Sequence, residues 1–271
     1  MRGRTRAAVA AGIAAAVAAV SFGTGGVAGA ITFGTVDGTR HPEVGAMLVR
    51  YPDGAFDLYC SGTLVSSTVF LTAAHCVEGL DEVGVGRHDV YVTFDPAWDP
   101  AKSQVRRGTY YADPLYGQAQ DDPHDIAVIV LDRAVSGVAP ATLPKAHELD
   151  QLAAAHQLAD QVFTAVGYGT ERDDKTGGYN TLGDYGTRKY ATQYFEALEN
   201  AWLRLSENIS TGSGGTCYGD SGGPHFLGDT SSHHIVATTI TGDGPCRATD
   251  VDYRLDTESA RAFLGRFVAL P

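Results

Sequence analysis

The sequence predicts an all-β domain, a barrel or a sandwich, closed by a short C-terminal helix. Short β-branched or aromatic runs recur at 46–51, 62–72, 90–94, 126–131, 162–168 and 235–241, each bounded by Gly, Pro, Asp or Asn. Such runs read as strands joined by turns, and the helices that would alternate with strands in a parallel sheet are absent from the pattern. A length of 271 residues allows one domain or two. The distribution of runs favours two similar halves.

The N-terminus is a leader. Arg2, Arg4 and Arg6 precede a small, apolar run at 7–20, and a Gly/Ala-rich stretch leads to Ala28-Gly29-Ala30. A basic start, an apolar run too short and too alanine-rich to anchor, and an A-x-A end describe a secretory signal peptide over 1–30. Its Ala-rich, Arg-led character is bacterial in type. Removing it takes away three arginines and no acids, so the formal charge moves from −12 to −15. That charge favours solubility and disfavours nucleic acid and anionic membrane as partners.

Two later segments have helical character. Residues 146–161 are rich in Ala, Leu, Glu and Gln. Asp256-Thr257-Glu258-Ser259 offers a cap for 260–268, where Ala260, Phe263, Leu264 and Phe267 recur at helical spacing. The four cysteines, an even number in an exported chain, point to disulfides, with three pairings open. No CxxC spacing suggests zinc, and the acidic, Gly-containing stretch 78–86 lacks the ligand spacing of a calcium loop. No metal and no cofactor is expected.

Chemistry concentrates in three segments. Gly219-Asp220-Ser221-Gly222-Gly223-Pro224 sets a serine in a glycine-cleared loop behind an acid, Leu71-Thr72-Ala73-Ala74-His75-Cys76 presents a histidine, and His124-Asp125-Ile126-Ala127 puts an aspartate at the head of an apolar run. A serine nucleophile needs a neighbouring base and backbone donors for the oxyanion formed at a carbonyl. His124, next to Asp125 in an extended segment, would face the other way and is read as structural. His233 and His234 lack metal-ligand spacing and are read as surface residues.

TAAHC, DIA-L and GDSGGP in the order His, Asp, Ser resemble the trypsin/chymotrypsin-like serine endopeptidases, and the likeness runs from Ile31 almost to the C-terminus. The resemblance implies two six-stranded antiparallel β-barrels with the active site in the cleft between them, plus a C-terminal helix. The first barrel would span about 31–145 and the second, with the helix, about 146–271. In this family 146–161 is not usually a long helix. The resemblance also selects Cys60 with Cys76 and Cys217 with Cys246 as disulfides.

It further implies Ser221 as nucleophile, His75 as base and Asp125 as the group that orients it. The oxyanion hole would be the N–H groups of Gly219 and Ser221. Ile31-Thr32-Phe33-Gly34 resembles the start of mature members, so signal removal would free the Ile31 ammonium to pair with Asp220 without a separate propeptide. A specificity pocket of Gly215, Thr216, Gly242 and Val251 is expected. Gly215 stands where an aspartate selects Lys or Arg, which argues against ordinary tryptic specificity. Aligned on Tyr253, Val251 narrows the pocket in favour of small residues; a one-residue shift puts Asp250 there instead, where it would pair with Lys or Arg.

Thr241-Gly242 replaces a Trp-Gly segment that pairs with substrate, and Thr239 or Ile240 stands where the family has a serine beside the triad aspartate. The implied protein is a monomer acting on protein or peptide substrates and open to protein protease inhibitors. A non-catalytic scaffold is the first rival, but such homologues commonly lose the histidine or serine that are kept here. An esterase would carry G-x-S-x-G with its aspartate after the serine.

Overall fold

The computed structural model describes residues 31–172 and 185–271. The leader at 1–30 lies outside the described residues. After a two-residue strand β1 (Thr35–Val36), the strands β2 (Val44–Arg50), β3 (Phe56–Leu64), β4 (Val69–Thr72), β5 (Val90–Thr93), β6 (Arg106–Ala112) and β7 (Ala127–Leu131) follow. The last six close into an antiparallel barrel in the order β2-β3-β4-β7-β6-β5. Helix α1 (Glu148–Ala154) precedes β8 (Val162–Gly167), β9 (Lys189–Leu198), β10 (Trp202–Ser206), β11 (Pro224–Leu227), β12 (Ile235–Gly242) and β13 (Thr249–Arg254). These form a second barrel in the order β9-β10-β13-β12-β11-β8, closed by pairing of β8 with β9, and β1 joins its outside on β9. Helix α2 (Glu258–Leu264) ends the fold.

The alternation of side chains along a strand explains why the barrels dock. On β2, Met47 and Val49 fill the first barrel with Phe70, Val92 and Ile129. Val44, Ala46 and Leu48, facing the other way, join Leu71 and Val128 in a cluster that includes Val166, Tyr168, Phe226 and Tyr253 of the second barrel and Phe263 of α2. One face of β2 thus builds the barrel and the other builds the interface. The C-terminal helix forms as its pattern predicts: Thr257 caps it by accepting from Ala260 N, and Ala260, Phe263 and Leu264 are buried.

Two segments differ from expectation. The run 62–72 is two strands, turned at 65–68 and held by Val65 N donating to Val69 O at 2.9 Å. The helical stretch 146–161 stops at Ala154, because His156 takes a positive φ of 57°, and a single 3₁₀ turn at Leu158–Asp160 follows. Strands β6, β9, β10, β11 and β13 stand outside the apolar runs. All but β11, whose polar residue is His225, carry charge, and in β13 that charge points inward: Asp250 and Asp252 are fully buried.

Arg188, just ahead of β9 and 1% exposed, is a polar tie between the barrels. Its Nε donates to Asp37 Oδ2 at 2.8 Å, Nη2 to Gly38 O at 2.7 Å, and Nη1 to Val44 O at 2.9 Å, Phe94 O at 3.1 Å and the Tyr168 hydroxyl at 3.0 Å. Burial pushes the Asp37 carboxyl up, but hydrogen bonds from His41 and the Arg188 charge outweigh it and hold the group below its ordinary range. Losing the cation would leave the buried Asp37 carboxylate with His41 alone and the Gly38 and Phe94 carbonyls without their donor. Arg188→Met, which keeps length and loses the donors, is expected to cost about 3–5 kcal/mol. The check is a lower urea midpoint at unchanged slope.

Candidate active site

The candidate catalytic residues come from both barrels. Because β4 and β7 pair antiparallel, with Thr72 opposite Ala127, the end of one lies beside the start of the other. His75 follows β4 and Asp125 precedes β7, so the ladder itself brings them together. Asp125, 6% exposed, accepts from His75 N at 2.9 Å and lies 2.8 Å from His75 Nδ1 through its other oxygen. Two-point attachment fixes the ring plane and keeps the proton on Nδ1, leaving Nε2 to accept. A disulfide from Cys76 to Cys60 on β3 ties this loop to the barrel wall.

Ser221 lies on the turn between Cys217 and β11. The Cys76 sulfur is 3.7 Å from His75 Nε2 and 3.8 Å from Ser221 O, so histidine and serine flank one sulfur atom. Ser61 carries the rest of the alignment: its N–H donates to Ser221 O at 2.9 Å, its hydroxyl donates to Gly219 O at 3.0 Å, and it accepts from Tyr168 N at 3.0 Å. Gly222 N donates to Thr239 O at 2.8 Å and Thr239 N to Gly223 O at 3.0 Å, which clamps the turn to β12.

Gly219 has φ 97°, in the region open to glycine. Asp220 N is spent on Cys217 O at 3.0 Å, whereas the N–H groups of Gly219 and Ser221 have no acceptor among the described residues. Two free donors beside a serine hydroxyl can receive an oxyanion. Asp220 itself is fully buried against Gly167 and Gly169, where any side chain would meet its carboxyl, and it accepts from Gly169 N at 2.8 Å and Cys217 N at 2.9 Å. Burial pushes this carboxyl up to about 7, opposed by those two N–H donors. Ile31 is buried on Ala165 and Ala191, and Thr32 exchanges backbone hydrogen bonds with Gly215 at 2.8 and 3.0 Å.

Beside Ser221 opens a cavity of about 340 Å³ lined by Thr216, Cys217, Tyr218, Thr241 and Gly242 among others. The Cys217–Cys246 disulfide spans its rim. Of the residues expected in the pocket, Thr216 and Gly242 line it, while Gly215 and Val251 do not. In the β12–β13 ladder Gly242 pairs with Asp250 and Thr241 with Val251, after a bulge at Ile240. Asp250 therefore takes the inward position, fully buried, with Thr216 Oγ1 donating to it at 2.7 Å and Gln193 Nε2 at 2.8 Å.

Thr239 Oγ1 lies 2.9 Å from His225 Nε2. His225 Nε2 is also 2.7 Å from Asp252. Burial lowers the His225 pKa, but the charges of Asp252 and Asp250 outweigh it and raise the pKa overall. His124 is not extended: its φ is 50°, and its ring lies 3.2 Å from Asp113 Oδ2. His233 is exposed, as expected of a surface residue, and His234 is partly buried; they reach Glu43 at 2.5 Å and Glu148 at 2.8 Å.

Among the described residues two groups of metal-type ligands gather, neither within 78–86. Cys60, His75 and Cys76 are a disulfide beside an imidazole, and His225, Asp250 and Asp252 are already engaged with one another. Ser61 and His225 carry no local motif in the sequence. Their roles arise from strand pairing.

Residues 36–259 match the trypsin family. A venom serine protease of Polistes dominula is 23% identical over 71% of this chain and 69% of its own length. A thrombin-like enzyme, gyroxin B2.1, of Crotalus durissus terrificus is 29% identical over 70% of this chain and 76% of its own. A chymotrypsin of Phaedon cochleariae is 27% identical over 70% and 65% respectively.

Gly222 has φ 75°, and a Cβ on it would come 2.2 Å from Thr72 Oγ1 and 2.7 Å from Ala73 N, the backbone that leads to His75. Gly117, with φ 72°, has nothing within 4 Å of that point. Gly117→Ala should cost roughly 1–2 kcal/mol, the left-handed backbone penalty. Gly222→Ala adds about 1–3 kcal/mol of overpacking to the same penalty. The difference between their unfolding midpoints measures the steric part.

Proposed function

As the chain belongs to the trypsin family of serine endopeptidases, we propose that it is secreted and cleaves peptide bonds through Ser221, His75 and Asp125 by way of an acyl-enzyme. The observation that carries this is the two-point His75–Asp125 attachment beside a serine whose neighbouring N–H donors are unspent. His75 Nε2 takes the Ser221 proton as Oγ attacks the carbonyl, and later gives it to the leaving amine. Asp125 orients the ring and stabilises the imidazolium. Gly219 N and Ser221 N receive the oxyanion. Two disulfides and the leader support secretion, as does a relative named from venom.

A fluorophosphonate should label Ser221, and peptide cleavage should fall by on the order of 10⁴- to 10⁶-fold in Ser221→Ala. A chain that resists the label and leaves a peptide library uncut would instead be a scaffold.

Activation is read from Ile31 and Asp220. Ile31 sits on Ala165, and Asp220 on Gly167, two residues along the same face of β8. While residues precede Ile31, the Asp220 carboxyl titrates near 7 rather than at its ordinary 3.8, because it is buried. A pKa raised on folding contributes stability that is present below the unfolded value and lost as pH rises through the folded one. The unprocessed chain should therefore lose stability between pH 4 and 7. A chain that begins at Ile31 carries an ammonium to pair with the carboxylate, and that decline should vanish. Its own loss comes later, above the ordinary α-amino range near 8. Denaturation of both forms across pH checks this, and full activity with an alanine inserted ahead of Ile31 would refute the pairing.

A further inference from the structure

Glu207 follows β10 and is 1% exposed, yet neither of its carboxyl oxygens has a partner among the described residues. It occupies room that Gly215 leaves: a Cβ on Gly215 would lie 2.3 Å from Glu207 Cγ and 2.4 Å from Oε1. Gly215 adjoins Thr216, which lines the cavity beside Ser221 and whose hydroxyl donates to Asp250 at 2.7 Å. Two carboxyl groups thus stand behind the cavity floor. The groups facing Glu207 are Asp250 and Asp252 on β13, Asp243 after β12 and Asp220 on the serine turn. The nearby cation, His225 on β11, is taken by Asp252 at 2.7 Å and Asp250 at 3.5 Å.

We propose that Glu207 is the specificity-determining acid of this pocket, receiving the ammonium or guanidinium of a lysine or arginine before the scissile bond, with Asp250 behind Thr216 as second acceptor. This rests on the endopeptidase reading of Ser221. A carboxylate so buried among other acids does not stay ionised alone: burial first, then the charges of Asp250, Asp243, Asp252 and Asp220, push Glu207 up to about 11. With the pocket empty the group is a neutral acid. When the substrate cation arrives, the O–H bond breaks, its electron pair stays on the carboxylate, the proton leaves to solvent, and the ion pair that remains is again neutral overall. Buried charge is conserved through binding, which avoids the penalty of sealing in a lone ion. The specificity acid stands behind the floor, at a neighbouring strand end, rather than at position 215, where the backbone is engaged with Thr32.

The test uses benzamidinium as the probe and Ser221→Ala as the host, so that binding is read apart from chemistry. Calorimetry in buffers of different ionisation heat should count one proton released near pH 7. The dissociation constant should fall by up to about tenfold per pH unit between 6 and 9. Adding Glu207→Gln should weaken binding at least tenfold and bring the proton count to zero, while Asp220, Asp252 and His225, which also titrate, are left in place. Glu207→Ala with Gly215→Asp returns an acid to the space from the other side. It should restore binding if the first variant fails by misfolding. Absence of benzamidinium binding, or binding and proton release unchanged by Glu207→Gln, overturns the proposal. Fluorophosphonate labelling of the parent chain decides the endopeptidase reading separately.

Discussion

The buried guanidinium of Arg188 is the interaction on which the site depends, because the residues of the site belong to different barrels. His75 and Asp125 hang from the first barrel and Ser221 from the second. A shift of one barrel against the other by an ångström would separate them. Apolar packing between Val44, Leu48, Val166 and Phe226 holds the barrels together without fixing their angle. Arg188 supplies direction: its planar fork is satisfied by Asp37, Gly38, Val44 and Phe94 and by the Tyr168 hydroxyl. Tyr168 continues the chain of positions, since its N–H donates to Ser61 and Ser61 holds both Gly219 and Ser221. One path of hydrogen bonds thus runs from the interface to the serine turn.

The barrels divide the work by what fills them. The first is lined by aliphatic and aromatic groups such as Met47, Phe70, Val92 and Ile129, and it serves as a rigid mount for His75 and Asp125. The second carries Gln193, His225, Thr239, Asp250 and Asp252 inside, all nearly or fully buried. A polar interior is costly unless paired, and the pairing here converges on the floor and back wall of the cavity. On the proposed reading, those acids stand behind the wall that an incoming side chain would meet.

This division also explains what sequence could foretell. His75, Asp125 and Ser221 were legible because each sits in a short local motif, and the strands β2, β5, β7, β8 and β12 because they are apolar on both faces or nearly so. Helix α2 was legible from Thr257 and the spacing of Ala260, Phe263 and Leu264. β13 was not, because Asp250 and Asp252 read as turn residues in sequence and face the barrel interior in space. β9, with Lys189 and Gln193 buried, was hidden for the same reason. The register that sets Asp250 rather than Val251 opposite Gly242 follows from the bulge at Ile240, for which sequence has no signal. Glu207 was invisible because its meaning comes from Gly215, eight residues away along the chain and in contact across the fold.

The acids of the second barrel form one electrostatic system in which each needs a positive partner or a proton. Asp252 and Asp250 share His225. Asp220, on the proposed reading, takes the ammonium of Ile31, and Glu207 takes a proton until a substrate replaces it. Each partner lowers the repulsion felt by the other acids, because Asp220 and Asp250 both act on Glu207. Neutralising Asp220 by signal removal would therefore make Glu207 easier to ionise, and an ionised Glu207 is the form that holds a substrate cation. On these proposals, freeing the N-terminus and charging the pocket would reinforce one another through space.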